Sequence, residues 1–369
     1  MSLDDLTLRE PAETRYAAEL TRLCEVDDGQ RPHNWALSPQ MVRRFILGDA
    51  NLGLAQKWFG DQSIVERAIV TLISDRGLLL IGDPGTGKSW LAELLAAAIS
   101  GNSTLVIQGT AGTTEDQIKY SWNIAMVIAA GQSPTSLIPS PIMSAMRLGA
   151  IGRFEELTRC PSDVQDALIS IMSEKYVAIP ELRDEHTVFA QQGFNIIATA
   201  NSRDRGVNEL SSALKRRFNF VHIPVISNQK QEKEIVMFRT EELLARQQIS
   251  VDLPPTLLDL LLQTFTDLRE NNAAASSDDN RLESALSTAE QIGVLEDALL
   301  HAGYFGDQKL SGDILAQSLI STLVRRLPED SAVMNKFWHE VVAGHSKRFG
   351  REWSDFLAGG QQAMKKLKS

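Results

Sequence analysis

An α/β architecture is what this sequence predicts: a parallel sheet flanked by helices, followed by a purely helical domain. Three observations carry that prediction. Gly77-Leu78-Leu79-Leu80-Ile81 is an apolar run of the length of a buried parallel strand, and it leads directly into Gly82-Asp83-Pro84-Gly85-Thr86-Gly87-Lys88-Ser89. Trp90 to Ile99 then reads as a strong helix former with Glu93 as its acidic residue. Strand-like and helical runs alternate to about residue 226, after which the strand signal is lost.

The segment Gly82–Ser89 fits G-x-x-x-x-G-K-[ST], a loop whose backbone N–H groups cradle phosphates at a helix N-terminus. Strand, loop and helix stand in the order that this mechanism needs. Lys88 is expected to reach the β- and γ-phosphates and Ser89 to coordinate Mg²⁺, with Trp90 continuing the same stretch. Gly82, Gly85 and Gly87 leave room for backbone to approach the phosphates. A glycine turn with an incidental lysine would leave the G-K-S order unexplained. By itself the loop specifies ATP or GTP.

Composition sets the outer bounds. A chain of 369 residues suggests two domains with extensions, and 43% hydrophobic with 23% charged residues is an ordinary globular balance. The formal net charge of −10 argues against a protein that coats nucleic acid. Cys24 and Cys160 are too few and too far apart for a disulfide scaffold, which fits a reducing, cytoplasmic setting. The start Met-Ser-Leu-Asp-Asp-Leu lacks the features of a signal peptide, and no run approaches a membrane span. The histidines show no metal-ligand spacing.

Residues 1–60 read as short helices, Thr14–Cys24 and Pro39–Leu47 among them, with Ser38 as an N-cap before Pro39. A core over 61–226 starts with an amphipathic helix, Ser63–Ser74. Thr104–Gln108 reads as a strand, Thr113–Ala130 as helical, and Gly131–Ser140 as an insert. A strand ending at Phe154 leads into Glu155-Glu156, followed by a helix over Ser162–Ser173 capped by Ser162. Tyr176–Ile179 and Thr187–Ala190 suggest a hairpin around a Pro180–His186 loop, Phe194–Thr199 a buried strand ending at Asn201, and Phe220–Val225 the last strand. Helices are expected at Gln229–Gln247, Pro254–Asn271, Leu282–Ala302 and Ser311–Arg326, with a mobile loop at Asn272–Asn280. They make a lid over 227–330, and Ser331–Gly344 opens a helical extension over 331–369.

Hydrolysis needs more than a cradle: a metal ligand, a carboxylate to activate water, and positive charge on the transition state. Glu155 and Glu156 follow a strand downstream of the loop, so one suits the metal and the other the attacking water. A surface acidic pair is the plainer alternative. Asn201 at a strand end can help to position that water. Lys215, Arg216 and Arg217 end a short helix, from which an arginine can reach a neighbouring subunit's nucleotide. A helix C-terminus that favours cations accounts for the charge without that role.

In this order the elements resemble an AAA+ ATPase of the MoxR-type group. The resemblance rests on Arg153-Phe154-Glu155-Glu156-Leu157-Thr158-Arg159-Cys160-Pro161 in the place of that group's D-E-I-N-R-x-P, and on the stretches I-A-T-A-N-S and A-L-K-R-R-F. It implies a P-loop NTPase sheet with an α-helical lid and ATP with Mg²⁺ as cofactors. Glu155 takes the metal position, Glu156 the catalytic base, Asn201 sensor 1, and Arg217 the arginine finger, with Arg216 beside it. It also implies a helix-2 insert within Thr113–Ala150, a homo-oligomeric, typically hexameric ring, and a protein client, often a von Willebrand A-domain partner. Two departures stand out: Glu155 where an aspartate is usual, and Ser287-Thr288-Ala289-Glu290 where a sensor 2 arginine is usual, with Arg281 just upstream. The function that this implies is chaperone-like remodelling or activation of a partner, driven by ATP hydrolysis. The alternatives are a motor on nucleic acid, disfavoured by the acidic balance, and a nucleotide-dependent scaffold with little turnover.

Overall fold

The computed structural model describes residues 7–182, 187–201, 208–226, 228–275, 281–284 and 286–367. They form two compact units. One comprises the chain up to Asp83 and Gly87–Pro224, the other Pro84–Thr86 and the chain from Val225 onward.

The first unit begins with α1 (Ala12–Arg15), α2 (Ala17–Val26) and α3 (Pro39–Leu47). The single helix expected over Thr14–Cys24 is broken at Tyr16, whose φ of −109° and ψ of 24° leave helical geometry. Tertiary packing accounts for the break. The Tyr16 ring meets Phe45 at 5.8 Å and Trp90 at 6.3 Å, and the buried Lys57 ammonium sits 4.7 Å from its centroid. In α3 the Ser38 hydroxyl accepts from Met41 N and Pro39 stands at the first position, as the cap predicts.

Next come α4 (Gln62–Ile73), β1 (Gly77–Gly82), α5 (Lys88–Ser100) and β2 (Val106–Gln108). The insert departs from expectation. In place of one helix over Thr113–Ala130 there are α6 (Glu115–Ile118), β3 (Tyr120–Trp122) and α7 (Ile124–Ala130), and β4 (Leu137–Pro139) closes an antiparallel hairpin with β3. Tyr120 and Trp122 favour a strand, and they pack edge to face at 6.0 Å, with the Tyr120 hydroxyl donating to Glu181 Oε2 at 2.8 Å. The Asn123 side chain caps α7, an apolar helix that buries none of its residues.

The unit continues through α8 (Pro141–Leu148), β5 (Ile151–Glu155), α9 (Ser162–Glu174), β6 (Tyr176–Ala178), β7 (Thr187–Phe189), β8 (Asn195–Asn201), α10 (Ser212–Lys215) and β9 (Phe218–Ile223). Ser162 opens α9 without capping it: Pro161 holds the cap position and no side chain bonds there. β6 and β7 form the expected antiparallel hairpin, and 183–186 of its loop lie outside the described residues.

β2, β5, β8, β1 and β9 pair in that order, all parallel, so helices must cover both faces. Leu78 and Leu80 of β1 share a cluster with α3, α4 and α5, whereas Leu79 shares one with α8 and α9. That alternation is the strand's two-residue period.

β2 is anchored beside β5 by a close approach. Gly109 N donates to Glu155 O at 2.7 Å, and a Cβ on Gly109 would lie 2.6 Å from Glu156 O, 2.9 Å from Glu155 O and 3.0 Å from Cys160 Sγ. Only glycine fits there.

The second unit is helical: α11 (Gln229–Gln247), α12 (Pro255–Ala274), α13 (Thr288–Phe305), α14 (Gly312–Leu323), α15 (Glu329–Phe337), a π-helical turn (Trp338–Val342), α16 (Ala343–Ser346) and α17 (Gly350–Lys366). α13 starts later than Leu282, because Ser287 and Glu290 form a capping box that fixes its first turn. α12 extends to Ala274, and 276–280 of the loop expected at Asn272–Asn280 lie outside the described residues. One apolar cluster, with Leu261, Phe265, Leu295, Leu319, Trp338 and Phe356, runs through this unit.

Gly109→Ala should lower unfolding stability by about 1–3 kcal/mol, because its methyl must displace backbone of the Glu155–Glu156 turn. Urea unfolding of the two proteins checks this.

Candidate functional site

The phosphate loop, Glu155, Glu156 and Asn201 meet at the C-terminal ends of β1, β5 and β8, where parallel sheets bind ligands, whereas Arg216 and Arg217 precede β9 beside Gly77 at the start of β1. β1 delivers Gly82 and the loop to Ser89. Gly85 and Gly87 have φ of 76° and 84°, in the left-handed region that favours glycine, and Gly87 is the residue from which α5 starts. Asp83, Pro84 and Thr86 complete the loop, and Trp90 Nε1 donates to Lys57 O at 3.1 Å, tying α5 to the N-terminal layer. Lys88 is buried, and its ammonium donates to Gly82 O at 3.0 Å and Asp83 O at 2.8 Å. It is thus held against the loop's own carbonyls.

Glu155 ends β5, 5% exposed. Its Oε2 accepts from Ser89 Oγ at 2.6 Å and Thr199 Oγ1 at 2.7 Å, and its Oε1 accepts from Arg153 Nη2 at 2.7 Å. The residues named for the metal, Ser89 and Glu155, are therefore directly bonded to one another. Both offer hard oxygen donors, the ligand type that Mg²⁺ takes, usually with few protein ligands and with phosphate oxygens besides. The pair fits the ion.

Glu156 follows in the left-handed region, φ 54° and ψ 44°, which is costly for a residue with a Cβ and collects at functional sites. Three bonds hold the turn: Glu156 N to Thr199 Oγ1 at 3.0 Å, Arg159 N to Glu156 O at 2.9 Å, and the Gly109–Glu155 bond. The partly exposed Glu156 carboxylate pairs with the Arg159 guanidinium. Beneath it burial pushes the Cys160 thiol up from its ordinary value.

Asn201 ends β8 directly opposite Gly82 of β1, which brings it beside the loop. The two arginines are placed differently. Arg217 is half-buried, with Nε on the Ser173 hydroxyl and Nη1 on Ala213 O at 2.6 Å. Arg216 is exposed and makes no side-chain hydrogen bond or ion pair among the described residues. In the second unit, Arg281 Nη2 donates to Ala275 O at 2.9 Å, and Glu290 of the capping box pairs with Arg325 at 2.9 Å.

Three residues were missed in the sequence. Thr199 lies inside an apolar run and reads there as strand filler. Arg153 reads as a flaw in a buried strand. Arg159 had a legible signal, the i, i+3 spacing from Glu156 within E-L-T-R.

A family model described as the AAA domain of the dynein-related subfamily matches residues 77–218, and one described as the YehL-like AAA+ ATPase C-terminal domain matches residues 230–359. YehL of Escherichia coli (strain K12), whose own function is uncharacterized, is 44% identical over 340 residues, 92% of this chain and 94% of YehL. The chaperone MoxR1 of Mycobacterium tuberculosis is 26% identical over 178 residues, 48% of this chain and 44% of MoxR1. Among solved structures, NtrX from Brucella abortus in complex with ADP superposes with a TM-score of 0.52 at 14% identity, covering 86% of this chain and 67% of that one, a likeness of fold.

Fold and comparisons together define an AAA+ ATPase of the MoxR type, an ATP hydrolase. Within that class the chain belongs to the YehL-like AAA+ ATPases. Among the described residues no helix is long and apolar enough to cross a membrane.

Thr199→Val keeps the shape and removes the hydroxyl shared by Glu155 and Glu156. It should cost about 1–3 kcal/mol of stability, the penalty for unsatisfied buried groups, and lower turnover more than nucleotide affinity. Urea unfolding and a steady-state phosphate-release assay read the two effects.

Proposed function

We propose that this chain hydrolyses ATP in a ring, typically of six copies, to remodel or activate a protein partner. The observation that carries the reading is the Ser89 Oγ to Glu155 Oε2 bond of 2.6 Å, with Glu156 next in the chain in a left-handed turn. In this reading the loop 82–89 holds the phosphates and Lys88 leaves its carbonyls for the β- and γ-oxygens. Ser89 and Glu155 hold Mg²⁺, which when bound supplies charge against the phosphates. Glu156 accepts the proton of the attacking water, and Asn201 orients that water. Because Glu156 pairs with Arg159, it must be released before it can act as a base.

Arg216 is the better arginine to act in a neighbour's site, since it is exposed and unpartnered among the described residues, whereas Arg217 is bonded within its own chain. The resemblance to MoxR-type proteins puts a von Willebrand A-domain protein first among partners to test. The apolar α7, which buries none of its residues, supports a polypeptide client contacted through the insert. The net charge of −10 supports a protein partner over nucleic acid.

Lys88→Ala is expected to abolish ATP binding in calorimetry, and unchanged affinity would sink the loop assignment. Glu156→Gln should bind ATP normally while turnover falls by about 10² or more, the usual weight of a general base. Arg216→Ala should lower turnover by about 10³ with nucleotide affinity kept, as an arginine acting in trans does. Mixing Arg216→Ala with Glu156→Gln subunits should then raise phosphate release above either alone. A mixture no more active than its parts rules out action in trans.

A further inference from the structure

Resting on the nucleotide-site reading above, we infer that Arg153 is a positioning residue for Glu155: it takes one carboxylate oxygen so that the other is held on Ser89, which lets a glutamate serve where an aspartate is usual.

The argument starts from Arg153-Phe154-Glu155. Residues two apart on a strand share a face, so Arg153 and Glu155 lie together while Phe154 packs into the opposite cluster. β5 lies between β2 and β8, and Arg153 is buried at 7% exposure. A guanidinium in such a place is costly unless its donors are used. Nη1 donates to Ser103 O at 2.9 Å, and Nη2 to Glu155 Oε1 at 2.7 Å and Ser89 O at 3.2 Å. Nε is buried without a partner, so this arginine is not kept for stability alone.

Nη2 therefore touches both halves of the candidate metal site, the Glu155 carboxylate and the backbone of Ser89. Glutamate has one more methylene than aspartate, a further rotatable bond and about 1.5 Å of extra reach. Arg153 on Oε1, with Ser89 and Thr199 on Oε2, fixes the carboxylate plane by three donors and removes that freedom. An aspartate at position 155 would end short of both Ser89 and Arg153 and leave the guanidinium buried and unpaired.

The test compares Glu155→Asp, Arg153→Leu and the double variant, measuring by calorimetry how Mg²⁺ changes affinity for a non-hydrolysable ATP analogue, with melting curves as a folding control. Each single variant should raise the half-effective Mg²⁺ concentration by about tenfold, with affinity in EDTA kept, and the double should shift less than either single, since coupled residues are non-additive. Wild-type Mg²⁺ dependence in Glu155→Asp, or a double equal to the product of the singles, overturns the inference. Where Arg153→Leu does not fold, Arg153→Lys keeps the charge without the fork. It should show the same shift, and wild-type dependence there also overturns the inference. A wild-type chain that fails to bind the analogue refutes the nucleotide site itself and is seen before any variant is compared.

Discussion

Everything at this site hangs on one carboxylate. Glu155 is reached from three directions, by Ser89 at the start of α5, Thr199 on β8 and Arg153 on its own strand. Two of these bonds tie the end of β5 to other elements, α5 and β8, and the third acts within the strand. Charge-assisted hydrogen bonds to a buried carboxylate are among the stronger polar contacts in proteins, and losing one partner leaves the others incompletely used. The P-loop helix, the sheet centre and the Glu156 turn are therefore held in register by the same group that would meet the metal. Structure and chemistry compete for it.

The Glu156 turn is imposed by its surroundings. Its left-handed backbone is held by hydrogen bonds from neighbouring strands and loops, not by its own preference. The side chain is partly exposed and paired with Arg159. Lys88 is likewise paired, through the loop's carbonyls. Both charged side chains, Lys88 and Glu156, thus have partners close by in the chain.

Much of this was legible in the sequence, and the misses have physical causes. β1, α5 and β8 could be read because a fully buried strand or helix advertises itself by apolar runs and glycine punctuation. β5 was harder. Gly152-Arg153 reads as too polar for a buried strand, yet a Cβ on Gly152 would lie 2.8 Å from Ile142 Cδ1 of α8, and Arg153 is buried and paired. Both depend on contacts far apart along the chain. The insert was misread because Thr113–Ala130 holds helix-forming stretches on either side of Tyr120-Ser121-Trp122, whereas those three residues pair with β4, more than a dozen residues on. In the site, the motif positions Lys88, Ser89, Glu155 and Glu156 announced themselves by order, whereas Thr199 and Arg153 act only through geometry.

Lys57 carries a last consequence. Its buried ammonium is bonded to Glu19, to Phe45 O and to Ala55 O, and its own carbonyl accepts from Trp90 on the P-loop helix. The apolar cluster under that helix includes Ala12, Leu23, Trp35, Leu37 and Phe45. Likeness to the AAA domain begins at Gly77, but the folding unit that supports it begins some sixty residues earlier, at Ala12. A chain cut to the borders of that likeness would lay bare one side of α5. The border of the AAA family model and the border of the packed core that supports it are separate, and here the second encloses the first.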